Sequence, residues 1–243
     1  VLGGVMARHV FKGRVTVAFL AALVAASNAG GAGSVIGDTT TTIMWLEGVS
    51  ALALLPAYFA AIPAFAIVAI FGALAQHRHQ PCLDHDEPGH PLEWGRIGIV
   101  AFILIAAVTA NVLASTLSGG EQTAPWLGLA LWAAILVTSL IAKPDWSVMR
   151  HGAKGAVFLS ALVAAASLMP LKGLPEPSWQ TTFGLGLLSS VFDNIPLTAL
   201  AIKQGNYDWG VLAYAVGFGG SMIWFGSSAG GALASQFPHA RSV

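Results

Sequence analysis

The chain has 243 residues, 56% of them hydrophobic and only 9% charged, with a mean hydropathy of +0.73. A soluble domain carries about 25% charged residues, so there is too little charge here to coat a surface facing water. Lysine plus arginine balance aspartate plus glutamate at 11 each, which leaves no electrostatic footprint for a nucleic-acid partner.

A bilayer core about 30 Å thick needs roughly 20 apolar residues of helix. Residues 51–74, 97–117, 125–141 and 153–169 reach or approach that length. The pattern predicts an all-α polytopic membrane protein whose first partner is the lipid bilayer.

Arg8, Lys12 and Arg14 precede the first apolar run, which places the start of the chain in the cytoplasm, where loops are enriched in lysine and arginine. Residues 15–26 make a good helix. Ser27-Asn28-Ala29-Gly30-Gly31-Ala32-Gly33-Ser34 is expected to interrupt it, because each glycine costs a helix interior about 1 kcal/mol. Apolar character resumes at Ile43-Met44-Trp45-Leu46, so the segment reads as a discontinuous transmembrane helix. The span at 51–74 follows.

The loop at 76–94 is then cytoplasmic, flanked by Arg78 and Arg96. It holds His77, His79, Cys82, Asp84, His85, Asp86, Glu87 and His90 with no zinc-ligand spacing, and it reads as a solvated loop. Cys82 is the one cysteine, so no internal disulfide forms. The loop at 118–124, with Glu121, falls outside, and the next one, with Lys143, Arg150 and Lys154, returns inside.

Residues 179–203 form an apolar stretch centred on Asp193-Asn194-Ile195-Pro196. It is either one kinked span or a re-entrant hairpin with Asp193-Asn194 at its tip, and counting charges does not decide. Beyond it, the run from Trp209 to Phe218 is broken by Gly219-Gly220-Ser221 before Met222-Ile223-Trp224-Phe225, a second discontinuous helix.

The two broken helices resemble each other. Gly30-Gly31 is followed by Gly37 and then Asp38-Thr39-Thr40; Gly219-Gly220 is followed at the same distance by Gly226 and then Ser227-Ser228. Corresponding interruptions in two halves point to a repeat-built transporter with its site at the bilayer midplane. Small residues also serve plain helix packing, but packing does not account for an aspartate and four threonines. A hairpin at 179–203 makes the second broken helix run opposite to the first, an inverted pair, so the hairpin is favoured.

The expected organisation is the end of a first repeat with its broken helix and following span (1–75), a cytoplasmic loop (76–94), scaffold spans of a second repeat (95–170), and the re-entrant hairpin with the second broken helix (171–243). By the same symmetry the chain is expected to be the middle of a longer protein, with a further hairpin and several spans upstream and at least one helix downstream.

Ionisable groups inside a membrane are costly and functional by default. Asp38 and Asp193 sit at the breaks, Glu47 reads as interfacial, and Lys154 and Lys203 are near enough to segment ends to snorkel. A carboxylate in such a site is neutralised by a proton or by a hard cation, and oxygen ligands for the cation abound: the carboxylates, the hydroxyls of Thr39 to Thr42, Asn28, Asn194, Ser221 and freed carbonyls. The plainer reading is that both aspartates merely cap half-helices. No catalytic residue, cofactor or resident metal is assigned, only the transported sodium and protons.

Residues 27–45, SNAGGAGSVIGDTTTTIMW, resemble the signature loop of NhaD-type sodium/proton antiporters, and SVFDNIPL (190–197) and GFGGSMIWFGSSAG (217–230) resemble that family's second hairpin and second broken helix. The family sits in the ion transporter superfamily beside citrate and dicarboxylate carriers. The resemblance implies an inverted-repeat fold, a mobile transport domain moving against a scaffold in a homodimer, and residence in a membrane, expected to be the bacterial inner (plasma) membrane. The ion-site positions it implies are Asn28, Asp38, Thr39, Thr40, Asp193, Asn194 and Ser221, with Gly30, Gly31, Gly219 and Gly220 at the breaks. Val35 stands where proline is common in the family and Phe218 where threonine is. The alternative is a citrate or dicarboxylate carrier, although a tricarboxylate calls for arginine or lysine at the site. A channel is disfavoured, since selectivity filters are built as rings from repeated subunits.

Overall fold

Alanine and leucine, which fill the apolar runs, are strong helix formers, and every regular element among the described residues is an α-helix. The structure is a computed structural model that describes residues 2–11, 14–35, 37–82, 93–117, 126–144, 146–168, 175–223 and 227–237. Most of the 76–94 loop, with Asp84, His85, Asp86, Glu87 and His90, lies outside the described residues, as do Lys12, Glu121, Lys172 and Arg241.

The helices are α1 (Leu2–Val10), α2 (Val17–Gly31), α3 (Thr39–Leu46), α4 (Ala51–Leu54), α5 (Ala57–His79), α6 (Trp94–Leu117), α7 (Trp126–Ser139), α8 (Val148–Ser167), α9 (Trp179–Ser189), α10 (Asn194–Gln204), α11 (Trp209–Gly219) and α12 (Ser228–Gln236). They fall into two compact units: residues 1–84 with 158–243, and residues 85–157. The second unit is built on α6 packed against α7, with an exposed ion pair between Arg96 and Glu93 ahead of α6.

The stretch Ala51–His79 is long and apolar enough to cross a membrane, and Val17–Gly31, Trp94–Ala110, Trp126–Ser139 and Trp209–Gly219 are shorter apolar helices. Within it α4 and α5 are separated at Leu55-Pro56. Phe59 is 87% exposed and Phe71 69%, a surface suited to lipid. An all-helical, charge-poor chain of this kind is compatible with a membrane protein.

Lipid tails are as apolar as leucine, so helices in a bilayer associate by close packing of small residues and by polar contacts. The first unit shows both. A Cβ added to Gly72 of α5 would lie 2.6 Å from the Ala22 Cβ of α2. At the same end, buried Gln76 accepts from the Thr16 backbone N–H (2.8 Å) and donates to the Arg14 carbonyl (3.1 Å). Met44, Leu54, Ala57, Ala61, Leu212 and Val216 form the principal core. Ala7, Phe11, Leu20, Val24, Leu233 and Phe237 form a second cluster, in which α1, α2 and α12 meet.

The broken helices differ in detail from the sequence reading. The helix of 15–26 does not stop before Ser27; α2 continues through Ser27-Asn28-Ala29-Gly30-Gly31. The two glycines are not helix breakers here. The missing side chain of Gly31 lets α2 approach the far side of the break, where the Gly31 Cα lies against Gly37. The break itself runs from Ala32 to the Asp38 cap, and its freed carbonyls are met by threonines: Thr41 Oγ1 donates to Ser34 O (2.6 Å) and Thr42 Oγ1 to Val35 O (2.8 Å). In the second half, α12 begins only at Ser228, so Met222 and Ile223 belong to the break rather than to a resumed helix.

α9 and α10 diverge from residues 190–193, and their far ends meet again. Gln204 Nε2 donates to the Pro175 carbonyl at 2.7 Å, and Tyr207 Oη donates to Gln204 Oε1 at 2.7 Å. Between the arms lies an apolar cleft of about 840 Å³ lined by Leu185, Leu188, Phe192, Leu197 and Leu200. The first arm is pressed onto α11. A Cβ on Gly219 would fall 2.2 Å from the Gly186 carbonyl oxygen, and buried Ser189 donates to the Val216 carbonyl at 2.7 Å.

Candidate ion-binding site

Asp38 closes the first break as the N-cap of α3. Its Oδ1 accepts the Thr39 backbone N–H at 2.8 Å, and its Oδ2 accepts the Thr40 hydroxyl in a short hydrogen bond. Thr40 is wholly buried. Gly31 backs onto the Asp38 Cβ, and Gly217 of α11 faces Oδ2.

Asn28, one turn before the end of α2, is 3% exposed. Its amide Nδ2 donates to Ser221 Oγ (3.0 Å) and to Ser227 Oγ (3.2 Å), spanning the second break from one lip to the other. Ser227 also accepts the Gly230 N–H at 3.3 Å as the N-cap of α12. The Asn28 backbone carbonyl accepts the Ala32 N–H at 3.0 Å, and with both amide hydrogens used its side-chain Oδ1 makes no hydrogen bond among the described residues.

Asp193 caps α10, its Oδ1 accepting the Ile195 N–H at 3.0 Å. Buried Asn194 opens the helix, and its backbone carbonyl accepts the Thr198 hydroxyl at 2.8 Å. α10 packs on α3, so the two helices that Asp193 and Asp38 cap lie side by side. Both aspartates are therefore caps, yet each cap uses one oxygen of a carboxylate that has two.

The sequence-derived residues thus form three linked groups: Asp38 with Thr39 and Thr40, Asn28 with Ser221, and Asp193 with Asn194. No hydrogen bond among the described residues joins Asn28 to Asp38 directly; Gly31 of α2 lies between them in the chain and touches Asp38. The break glycines separate by role. A Cβ added to Gly31 or Gly219 would lie inside van der Waals contact, whereas one on Gly30 would meet nothing within 4 Å among the described residues. Gly220 is the αR C-cap of α11.

Four contributors were missed. Ser227 was visible in the glycine spacing, as the position matching Asp38, but was not assigned. Gly217, Ser189 and Tyr58, whose hydroxyl donates to the Gly30 carbonyl at 2.9 Å, carry no sequence signal that would separate them from packing. Of the two family departures, Val35 offers its carbonyl to Thr42, and Phe218 stacks on Tyr214 with ring centroids 5.5 Å apart. Glu47 caps the far end of α3 and is exposed, as are Lys154 and Lys203.

Comparison with known proteins gives relatives of one kind. The chain is 26% identical over 245 residues to sodium/proton antiporter 1 of Arabidopsis thaliana, covering 86% of this chain and 41% of that protein. It is 25% identical to sodium/proton antiporter 2 of the same plant over 254 residues, 86% of this chain and 58% of that one. It is 24% identical to the Na(+)/H(+) antiporter NhaD of Alkalimonas amylolytica over 263 residues, 88% of this chain and 53% of that one. No family model and no solved structure matches. The chain spans about half the length of the curated relatives it matches. These relatives, all named sodium/proton antiporters, are consistent with the NhaD-type resemblance carried by the two broken-helix motifs and the hairpin tip.

Proposed function

We propose that this chain supplies the exchange site of a secondary transporter that moves sodium, or another monovalent cation, against protons across a membrane. The observation that carries this reading is the Asp38 carboxylate, held by Thr39 and Thr40 at a helix break, with the Asp193-capped helix α10 packed on the helix that Asp38 caps. An uncompensated carboxylate at membrane depth costs several kcal/mol. A proton removes the charge and a sodium ion balances it, so each excludes the other, and alternate occupancy is exchange. Thr40, Asn28 and Asn194 add the oxygen ligands that a hard cation favours.

The two breaks support an inverted pair. The register that sets Gly30-Gly31 on Gly219-Gly220 also pairs Asp38 with Ser227 and Asn28 with Gly217. Asp38 and Ser227 both N-cap the helix after their break. Asn28 touches Ser227, and Gly217 faces Asp38, so matched positions meet reciprocally, as a pseudo-two-fold axis requires. On this reading α9 and α10 are a re-entrant hairpin with Asp193-Asn194 at its tip, and residues 95–170 contribute scaffold spans. The protein is then an integral membrane homodimer, placed in a bacterial inner membrane, whose transport part moves against that scaffold without a cofactor.

The test uses inside-out vesicles loaded with a pH-sensitive dye. Sodium or lithium should dequench the dye, and labelled citrate should enter no faster than in vesicles lacking the protein. Saturable, sodium-coupled citrate uptake would replace this proposal with a carboxylate carrier.

A further inference from the structure

We infer that Gly217 sets the size of the cation at the Asp38 site; this rests on the exchange function proposed above and deepens it. Gly217 is buried inside α11 and needs no special backbone, since the only positive-φ glycines among the described residues are Gly48 and Gly205. A glycine inside a helix is destabilising relative to alanine, so its presence calls for another reason.

Close packing is the usual one, and it explains the neighbours. Added Cβ atoms on Gly186 and Gly219 would run into the backbone carbonyls of Ala215 and Gly186, at 2.8 and 2.2 Å. Gly217 differs. Among the described residues, a Cβ there would meet Asp38 Oδ2 at 3.4 Å and Thr40 Oγ1 at 3.8 Å. Among the described residues outside α11, the room that Gly217 leaves is bounded by the two side-chain oxygens of the candidate site and by no backbone atom.

The reciprocal contact sharpens this. Where Asn28 fills the space against Ser227 with its amide, the matching position against Asp38 carries no side chain at all. One half of the pair is a closed, neutral hydrogen bond; the other is open beside a carboxylate. A cation bound to Asp38 Oδ2 and Thr40 Oγ1 occupies the Gly217 side, and a methyl group there shortens the oxygen contacts available. The larger sodium ion loses more than lithium does.

The experiment measures half-saturating sodium and lithium concentrations for proton exchange in vesicles carrying the wild-type protein, Gly217→Ala, Gly217→Ser or Asp38→Asn. Gly217→Ala should raise the sodium value about tenfold or more, the scale of one added carbon in a fitted pocket. The lithium value should rise much less, and the protein should stay monodisperse by fluorescence-detected size exclusion, because alanine is the better helix former. Gly217→Ser, which adds an oxygen to the same space, should recover part of the sodium affinity. Equal shifts for both ions, no shift in either, or loss of folding in Gly217→Ala would overturn the inference. Wild-type exchange by Asp38→Asn would instead overturn the proposed function, so the two failures are told apart.

Discussion

Asn28 on α2 and Ser227 at the head of α12 lie 199 positions apart and share a 3.2 Å hydrogen bond inside the protein. That bond ties the first broken helix to the second. Removing one partner strands a buried polar group, at a cost of about 1–3 kcal/mol. Asn28→Ala and Ser227→Ala should each lower the melting temperature of the purified protein. The double variant should cost clearly less than the sum, since both singles delete one interaction. Additive losses would mean that the two residues act independently.

Two break glycines should respond oppositely. Gly219→Ala forces a Cβ to 2.2 Å from the Gly186 carbonyl oxygen, and overpacking against backbone costs about 1–3 kcal/mol or more. Expression of folded protein should fall sharply. Gly30→Ala meets nothing within 4 Å among the described residues and should be neutral or stabilising by up to about 1 kcal/mol. Thermal unfolding of both variants in detergent reads the difference.

Gln76 joins the end of α5 to the start of α2 through Thr16, Arg14 and Gln80. Gln76→Leu preserves bulk but leaves the Thr16 N–H and the Arg14 carbonyl without that partner. A loss of about 2 kcal/mol or more is expected from two stranded backbone groups. Chemical denaturation compared with wild type measures it, and an unchanged midpoint would show that water replaces the side chain.

The 2.7 Å bond from Gln204 to Pro175 brings the ends of the α9–α10 pair together. Single cysteines at Trp179 and Lys203 should therefore react with an impermeant reagent from the same face of oriented vesicles. Labelling from opposite faces would make residues 179–203 a crossing span and remove the inverted repeat.

Much of this was legible in the sequence because the informative residues are ones that membranes exclude. Asp38 and Asp193 stand out against long apolar runs, and the glycine spacing marked both breaks. What the sequence did not reveal depends on tertiary contact. Glycine propensity alone ends α2 before Ser27, yet packing carries the helix to Gly31: Asn28 bonds to Ser221 and Ser227 at the second break, and Gly31 packs on Gly37 and Asp38. Met222 and Ile223 looked like a resumed helix because hydropathy is silent on where a half-helix begins. The cap that starts α12, Ser227, is set by its bonds to Gly230 and Asn28. Gly217 is unremarkable in the sequence, and only its position facing Asp38 distinguishes it from the packing glycines beside it.

The most direct measurement is sodium-dependent proton flux in vesicles bearing Asp38→Asn or Asp193→Asn. Asparagine caps helices about as well as aspartate, so the bonds to the Thr39 and Ile195 N–H groups survive and folding should be unchanged. The charge and the exchangeable proton do not survive. If the two aspartates exchange sodium for protons, flux falls to the level of vesicles without the protein in each variant, with normal expression. Wild-type flux in both would contradict it and leave the two aspartates as helix caps alone.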